Sequence, residues 1–162
     1  MADFVLRPMR GEEDARGAAE LIAVVAEERT GIATEPPVDV DRRTEMFAQS
    51  APSTIVAEAD GRIIGTIHVE TSRFGFGEFG MQVAREWRGR GVGSALLDAA
   101  IDWSRAQRLH KLCLEVFPHN EAGIALYRKY GFVEEGRRVR HYRRASGELW
   151  DSIVMGLPLE PS

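Results

Sequence analysis

The sequence predicts a mixed α/β (α+β) fold, in which a central sheet of about seven strands is covered by about four helices. The chain has 162 residues, a length that suits one domain spanning residues 1–162. Hydrophobic residues make up 44% of the chain and charged residues 28%, as in ordinary globular domains. Strand-like and helical patterns then alternate along the chain, as a mixed sheet with covering helices requires.

The N-terminal third predicts one strand followed by two helices. A short apolar run over residues 4–7 is typical of a strand. Apolar residues at helical spacing over 11–28 predict the first helix. Residues 30–38, which contain glycine and a proline pair, predict a loop. A second helix is expected over 41–50, where Pro52 stops it.

The remainder of the chain predicts six strands and two helices. Asp60-Gly61 is a strong hairpin signal between two strands, and the short connections predict mostly antiparallel pairing among the first four strands. A long intervening helix makes the two strands on either side of it parallel. The expected strands are 54–59, 62–72, 78–83, 111–117, 132–144 and 152–157, and the expected helices are 91–108 and 120–131.

The composition argues against several classes of protein. Lys and Arg number 21 and Asp and Glu 25, a net charge of −4 that disfavours a generally basic nucleic-acid-binding protein. Cys113 is the single cysteine, so no intrachain disulfide forms, and the histidines lack the spacing of a metal motif. No apolar stretch approaches the roughly 20 residues of a membrane-spanning helix, and no secretory signal is recognisable. We therefore expect a cytoplasmic protein without a metal.

A glycine-rich turn, Arg88-Gly89-Arg90-Gly91-Val92-Gly93-Ser94, leads into the long helix. Alternating glycines let successive backbone amides point into one concavity, and the helix N-terminus adds unpaired amides and a positive dipole. The nearby arginine side chains, including that of Arg85, suit phosphate. These features predict an anion-binding turn, above all for a diphosphate; a tight turn that binds nothing is the alternative.

Two familiar nucleotide-binding motifs do not account for this turn. A Walker A loop requires a lysine after its last glycine, and none follows here. A dinucleotide-binding fingerprint that starts at Gly89 has Ser94 at its third position, and one that starts at Gly91 has Leu96 there. Both departures break the required spacing.

Residues 83–97 instead resemble the cofactor motif of the GCN5-related N-acetyltransferases, the GNAT superfamily. The family pattern has Gln or Arg, two variable residues, Gly, one variable residue, and Gly or Ala; Arg88, Gly91 and Gly93 match it. A second family motif is similar to Leu114-Glu115-Val116 with the downstream segment from Asn120 to Phe132. Arg88 and Glu115 are about 27 residues apart. Two motifs in the right order are more specific than either alone, and the resemblance is weakest over 28–52.

The resemblance implies that acetyl-CoA is the cosubstrate and that its diphosphate lies on the amides of the turn. It also implies that the pantetheine arm pairs with backbone groups of 81–83 as an added strand would. The strands 78–83 and 111–117 are then expected to splay apart and admit the thioester. The residues expected to bind acetyl-CoA are Met81, Gln82, Val83, Arg88, Gly89, Arg90, Gly91, Val92, Gly93, Ser94 and Asn120.

Acetyl transfer to an amine requires an ammonium group with a pKa of about 10 to lose its proton and the departing thiolate to be stabilised or protonated. Tyr127, on the same helix face as Asn120, is the candidate proton donor to the thiolate, with a packing role as the alternative. Asn120 is expected as the helix N-cap, as a cofactor contact, or as both. Glu115 and Glu78 compete for the role of base, and a water chain without a single base is the third option.

Three further features are interpreted conservatively. Cys113 lies between leucines on a strand and is expected to be a core thiol and not a nucleophile. His119 is expected in a surface loop, with a contact to the cofactor or to the entrance for the acceptor as the alternative. The basic segment 137–144 is expected to be solvated strand charge paired with acids of the chain, with an anionic acceptor or partner as the alternative.

The resemblance therefore implies an N-acetyltransferase that moves an acetyl group directly to a primary amine, which is a small amine, an amino acid or a protein N-terminus. The alternative is a GNAT-fold regulatory module that binds coenzyme A without turnover; Asn120 and Tyr127 argue against it. The acceptor is expected to enter near residues 28–40, 72–77 and 137–152. No nucleic acid or membrane is expected as a partner. The sequence does not show the oligomeric state, and the resemblance allows a homodimer because many members of the family form one.

Overall fold

The computed structural model describes residues 3–160 and contains seven strands and four α-helices in the predicted order. The strands are β1 (Val5–Pro8), β2 (Thr54–Ala59), β3 (Arg62–Thr71), β4 (Phe76–Val83), β5 (Lys111–Val116), β6 (Val133–Arg143) and β7 (Leu149–Pro158). The helices are α1 (Gly11–Ala26), α2 (Val40–Gln49), α3 (Val92–Ala106) and α4 (Glu121–Lys129), with single 3-10 turns at Ala51–Ser53 and Arg85–Trp87. Strand β7 begins before the expected residue 152, because its pairing with β6 extends to Leu149.

All seven strands form one sheet in the order β1-β2-β3-β4-β5-β7-β6. Strands β4 and β5, which flank α3, run parallel, and the other neighbouring pairs are antiparallel. The predicted pairing is thereby confirmed. Asp60 and Gly61 have φ angles of 51° and 73°, and two consecutive positive φ angles are the geometry of a type I′ hairpin turn.

The parallel pair β4–β5 opens after a short contact. Pairing runs from Phe76↔Lys111 to Glu78↔Cys113, whereas β4 continues to Val83 and β5 to Val116. The expected splay of the two strands is therefore present, and it leaves a gap in the middle of the sheet.

The helices cover the sheet in two layers. On the α1–α2 face, Ala18 and Phe47 are buried in one cluster. On the α3–α4 face, Leu96 and Leu114 are buried in the larger cluster. Because side chains alternate along a strand, Leu114 points to the α3–α4 face and Glu115 to the α1–α2 face. Across residues 3–160, no helix is long and apolar enough to cross a bilayer.

Candidate active site

The turn before α3 presents a row of free backbone amides. Gly89 and Gly91 have φ angles of 72° and 87°, a conformation that residues with a Cβ rarely adopt. The first helical hydrogen bond of α3 runs from the amide of Ala95 to the carbonyl of Gly91. The amides of residues 89–94, hereafter the amide row, donate to no acceptor within residues 3–160. Free amides at the positive end of a helix dipole are suited to bind an anion.

The arginine side chains around the amide row point in different directions. Arg88 donates from Nη1 and Nη2 to the Glu28 carboxylate at 2.6 and 2.8 Å, and from Nε to the carbonyl of Val83 at 3.0 Å. The guanidinium of Arg88 holds the pKa of Glu28 below its usual range. Arg90 instead stacks on the ring of Trp87, 3.9 Å from its centroid. In this arrangement the guanidinium of Arg90 lies on the Trp87 ring, and only the backbone amide of Arg90 is available to a ligand at the turn.

A groove of about 570 Å³ runs from the amide row to the gap between β4 and β5. It collects most of the residues predicted to bind acetyl-CoA: Met81, Gln82, Val83, Arg88, Gly89, Gly91, Gly93, Ser94 and Asn120. Arg90 and Val92 do not line it. The Val92 side chain lies in the core and is 1% exposed, so Val92, like Arg90, can offer a ligand at the turn only its backbone amide. The predicted set therefore converges on one groove, with these two side chains as exceptions.

Asn120, the N-cap residue of α4, and Tyr127, on α4, both line the groove. The Asn120 side chain accepts a hydrogen bond from the amide of Gly123 at 3.0 Å and so caps the helix, as predicted, while also lining the groove. Tyr127 is 8% exposed and packs edge-on against Phe79. Burial raises the pKa of Tyr127 to about 12. Its hydroxyl forms no hydrogen bond with residues 3–160.

A second cavity of about 190 Å³, hereafter the central cavity, adjoins the groove. Tyr127 and Glu115 both line it, although they come from opposite faces of the sheet. Glu115 accepts hydrogen bonds from Ser152 Oγ at 2.7 Å and from the Tyr142 hydroxyl at 3.2 Å, and it pairs with Arg138 at 3.2 Å. These contacts hold the carboxylate at the edge of the gap.

Glu78, the other candidate base, is placed differently. It lies on the same face as Glu115, at the residue where β4 and β5 stop pairing. Its side chain is exposed and does not line the central cavity. The structure therefore brings Glu115, but not Glu78, to the same cavity as Tyr127.

The loop between α1 and α2 covers both cavities, and sequence reasoning did not identify what holds it. Residues 30–35 of this loop are hereafter the roof loop. His119 Nε2 lies 2.6 Å from the carbonyl oxygen of Thr30. Arg144 donates to the carbonyls of Ala33 at 2.9 Å and Ile32 at 3.4 Å. Its guanidinium stacks 4.3 Å from the centre of the Trp150 ring.

The positions of His119 and Arg144 refine the sequence interpretation. His119 is exposed, as predicted, yet it also lines the groove. Arg144 belongs to the basic segment 137–144 but is 4% exposed. Arg137 and Arg138 of that segment pair with Asp151 and Glu115, in agreement with the expected pairing to acids of the chain. No local spacing could have shown the contacts of Arg144 with the roof loop, because Ala33 and Ile32 lie more than one hundred residues away from it.

Two further features of the site are the position of Cys113 and the arrangement of side chains that could hold a metal ion. Cys113 is half-buried on the face that carries Glu115, and not in the core as predicted. Burial raises the pKa of its thiol, which therefore stays protonated at neutral pH. Among residues 3–160, no group of three or more His, Cys, Asp or Glu side chains is arranged to hold a metal ion.

Comparisons with known proteins show which proteins the chain is similar to. The model of the acetyltransferase (GNAT) family matches residues 19–132. The chain is 31% identical over 142 residues to the L-methionine sulfoximine/L-methionine sulfone acetyltransferase of Pseudomonas aeruginosa, a match that covers 82% of each chain. It is 34% identical over 109 residues to the L-amino acid N-acetyltransferase of Escherichia coli, covering 62% of this chain and 65% of that one.

A solved structure shares the fold as well. The crystal structure of the ribosomal-protein-alanine N-acetyltransferase from Brucella melitensis superposes with a TM-score of 0.86 at 26% sequence identity. The match covers 96% of this chain and 99% of that chain. Relatives with acceptors of different size therefore share this architecture.

Proposed function

The chain belongs to the acetyltransferase (GNAT) family, and on that premise we propose that it transfers an acetyl group directly to the primary amine of a small molecule such as a free amino acid. It is an N-acetyltransferase whose cosubstrate is acetyl-CoA. One observation carries the proposal: a continuous path leads from the amide row to a gap in the sheet where Tyr127 and Glu115 line the same cavity.

The amide row fits the diphosphate of acetyl-CoA. Free amides of residues 89–94 at a helix N-terminus supply the hydrogen-bond donors that phosphate oxygens need. Arg88 adds a positive charge beside them, which Glu28 partly neutralises. We assign the pantetheine arm to the backbone of residues 81–83, which lines the groove beyond the point where β4 and β5 stop pairing.

Glu115 is the proposed base. An attacking amine must lose a proton, and a carboxylate that lines the cavity can accept it directly or through water. Ser152 and Tyr142 each donate a hydrogen bond to Glu115 and so fix its position. Glu78 is exposed outside the cavity, which favours Glu115 among the two carboxylates.

Tyr127 is the proposed proton donor. In the transfer, a bond forms between the amine nitrogen and the acetyl carbon, the bond from that carbon to sulfur breaks, and the sulfur needs a proton. Because burial raises the pKa of Tyr127 to about 12, its hydroxyl carries a proton at neutral pH. Tyr127 lines both cavities, and its hydroxyl has no hydrogen-bond partner within residues 3–160, so it is available to the sulfur.

The roof loop favours a small acceptor. Gly31, Ile32 and Ala33 line the central cavity from above, and hydrogen bonds from His119 and Arg144 hold this loop in place. A cavity of about 190 Å³ suits an amino acid better than a folded polypeptide terminus. The cytoplasm as the site of the reaction, and a homodimer, stay predictions.

Release of free coenzyme A thiol tests the proposal. The purified protein is incubated with acetyl-CoA and one acceptor at a time. The acceptors are amino acids, alkylamines, polyamines and short peptides. We expect release with amino acids at a higher kcat/KM than with peptides. Binding of acetyl-CoA without thiol release from any acceptor would instead support the regulatory module, and preference for peptides would contradict the assignment of a small acceptor.

A further inference from the structure

A third cavity lies between α2 and the strands β3 and β4. This α2 cavity has a volume of about 590 Å³. Three residues that line it, Ile32, Gly80 and Gln82, also line the central cavity. The two cavities therefore meet on the α1–α2 face of the sheet, and a molecule whose amine lies at Glu115 can extend into the α2 cavity.

Arg43 carries the permanent positive charge in the lining of the central cavity and the α2 cavity. It is the one Arg or Lys among the residues that line either cavity. Its Nη2 lies 3.4 Å from Thr34 Oγ1, and no carboxylate lies within ion-pair distance of it in residues 3–160. Its other guanidinium donors are thus free for a ligand.

Three other titratable groups near Arg43 or Glu115 provide no second binding site for an anion. Burial lowers the pKa of His68, so the imidazole that lines the α2 cavity is neutral at neutral pH. Arg138 lies near Glu115, but its guanidinium pairs with that carboxylate at 3.2 Å. Glu70 adds a negative charge to the cavity lining, which does not attract an anion.

We propose that Arg43 binds a carboxylate of the acceptor, so that the enzyme selects amines that also carry a negative charge. The planar guanidinium presents paired donors that match a carboxylate, and the partly enclosed cavity weakens screening by water. The amine of the same molecule then lies towards Glu115, along Ile32, Gly80 and Gln82, which line both cavities. This inference rests on the proposed function and narrows its substrate class.

The test compares an amino acid with the same molecule lacking its carboxylate. L-methionine sulfone and 3-(methylsulfonyl)propylamine form such a pair, and kcat/KM is measured for both with the wild type, Arg43→Gln and Arg43→Lys. Loss of a charged hydrogen bond corresponds to roughly a 10- to 100-fold loss of affinity. We expect Arg43→Gln to lower the ratio of the two kcat/KM values by that factor, and Arg43→Lys to restore part of it. Arg42→Gln, at the neighbouring exposed position that does not line the cavity, is the matched control and leaves the ratio unchanged.

Two other results would overturn the inference while leaving the proposed function intact. One is an unchanged ratio in Arg43→Gln. The other is a wild type that prefers diamines and loses this preference in Glu70→Gln, which would make the α2 cavity a site for a second ammonium group.

Calorimetry with L-methionine sulfone and coenzyme A separates failure of the proposed function from failure of the inference. If no amine is acetylated but the amino acid binds the wild type and not Arg43→Gln, the carboxylate site stands and the transferase proposal fails. If the amino acid binds both proteins equally, or binds neither, the carboxylate site is refuted.

Discussion

Replacing Tyr127 with phenylalanine removes the proposed proton donor and little else. The side chain is 8% exposed, and its ring packs against Phe79 and Phe132, contacts that phenylalanine preserves. Because the hydroxyl has no hydrogen-bond partner within residues 3–160, its removal leaves no protein group unsatisfied. We therefore expect the free energy of unfolding at neutral pH to change by less than about 1 kcal/mol.

The catalytic effect is expected to be much larger. General acid catalysis contributes roughly 10²- to 10⁴-fold to the rate, so kcat of Tyr127→Phe falls by a factor in that range. The affinity for acetyl-CoA, measured by calorimetry, changes little because the amide row is untouched. Tyr130→Phe is the matched control: it loses the hydrogen bond to the Ser94 carbonyl but no group in the central cavity. A Tyr127→Phe enzyme with wild-type kcat would refute the assignment.

The same variant has a signature at alkaline pH. The pKa of Tyr127 is raised from 10 to about 12 in the folded protein, so the unfolded chain loses the phenol proton first. The free energy of unfolding must therefore fall as pH rises from 10 towards 12, by up to about 3 kcal/mol from this group. Chemical denaturation at several pH values should show a weaker decline in Tyr127→Phe. An identical decline in both proteins would contradict the buried, protonated phenol.

Three further substitutions test the rest of the site. Glu115→Gln should lower kcat at least 100-fold while Glu78→Gln retains most activity in the thiol-release assay; the reverse order would transfer the role of base to Glu78. Gly91→Val forces a φ of 87° on a β-branched residue and should weaken acetyl-CoA binding at least tenfold by calorimetry, and unchanged affinity would refute the diphosphate placement. Arg144→Met loses two hydrogen bonds to the roof loop and should lower the unfolding free energy by about 3 kcal/mol, whereas exposed Arg143→Gln should not; equal melting temperatures for both would argue against the anchoring role.

The parts of the molecule that the sequence could predict are encoded over a few residues. Asp60-Gly61 predicts its hairpin because both residues tolerate positive φ, and the structure has 51° and 73° there. The amide row was predictable for the same reason, since Gly89 and Gly91 permit the turn and α3 follows at once. Local backbone preferences decide such features, so a short stretch of sequence is sufficient.

The contacts that close the site could not be predicted, because they join segments far apart in the chain. Arg88 meets Glu28 at a separation of 60 residues, and Arg144 meets Ala33 at 111. Neither pair lies in a local motif, and arginines at positions 88 and 144 are compatible with exposed positions as well. The choice between Glu115 and Glu78 was equally open, since both lie on strands that border the gap. Only Glu115 lines the cavity, where Tyr142 of β6 and Ser152 of β7 donate hydrogen bonds to it.

The gap between β4 and β5 explains how the proposed acid and base can act on one molecule. Tyr127 lies on the α3–α4 side of the sheet and Glu115 points to the α1–α2 side, so a continuous sheet would stand between them. Because pairing ends at Glu78 and Cys113, both side chains line the same cavity. An amine that approaches from the α1–α2 side then meets the base first, and the leaving sulfur lies towards the tyrosine. A disulfide or hydrogen-bonded pairing engineered to close this gap should abolish turnover although the sequence still contains Tyr127 and Glu115, because the closed sheet would then separate the two side chains.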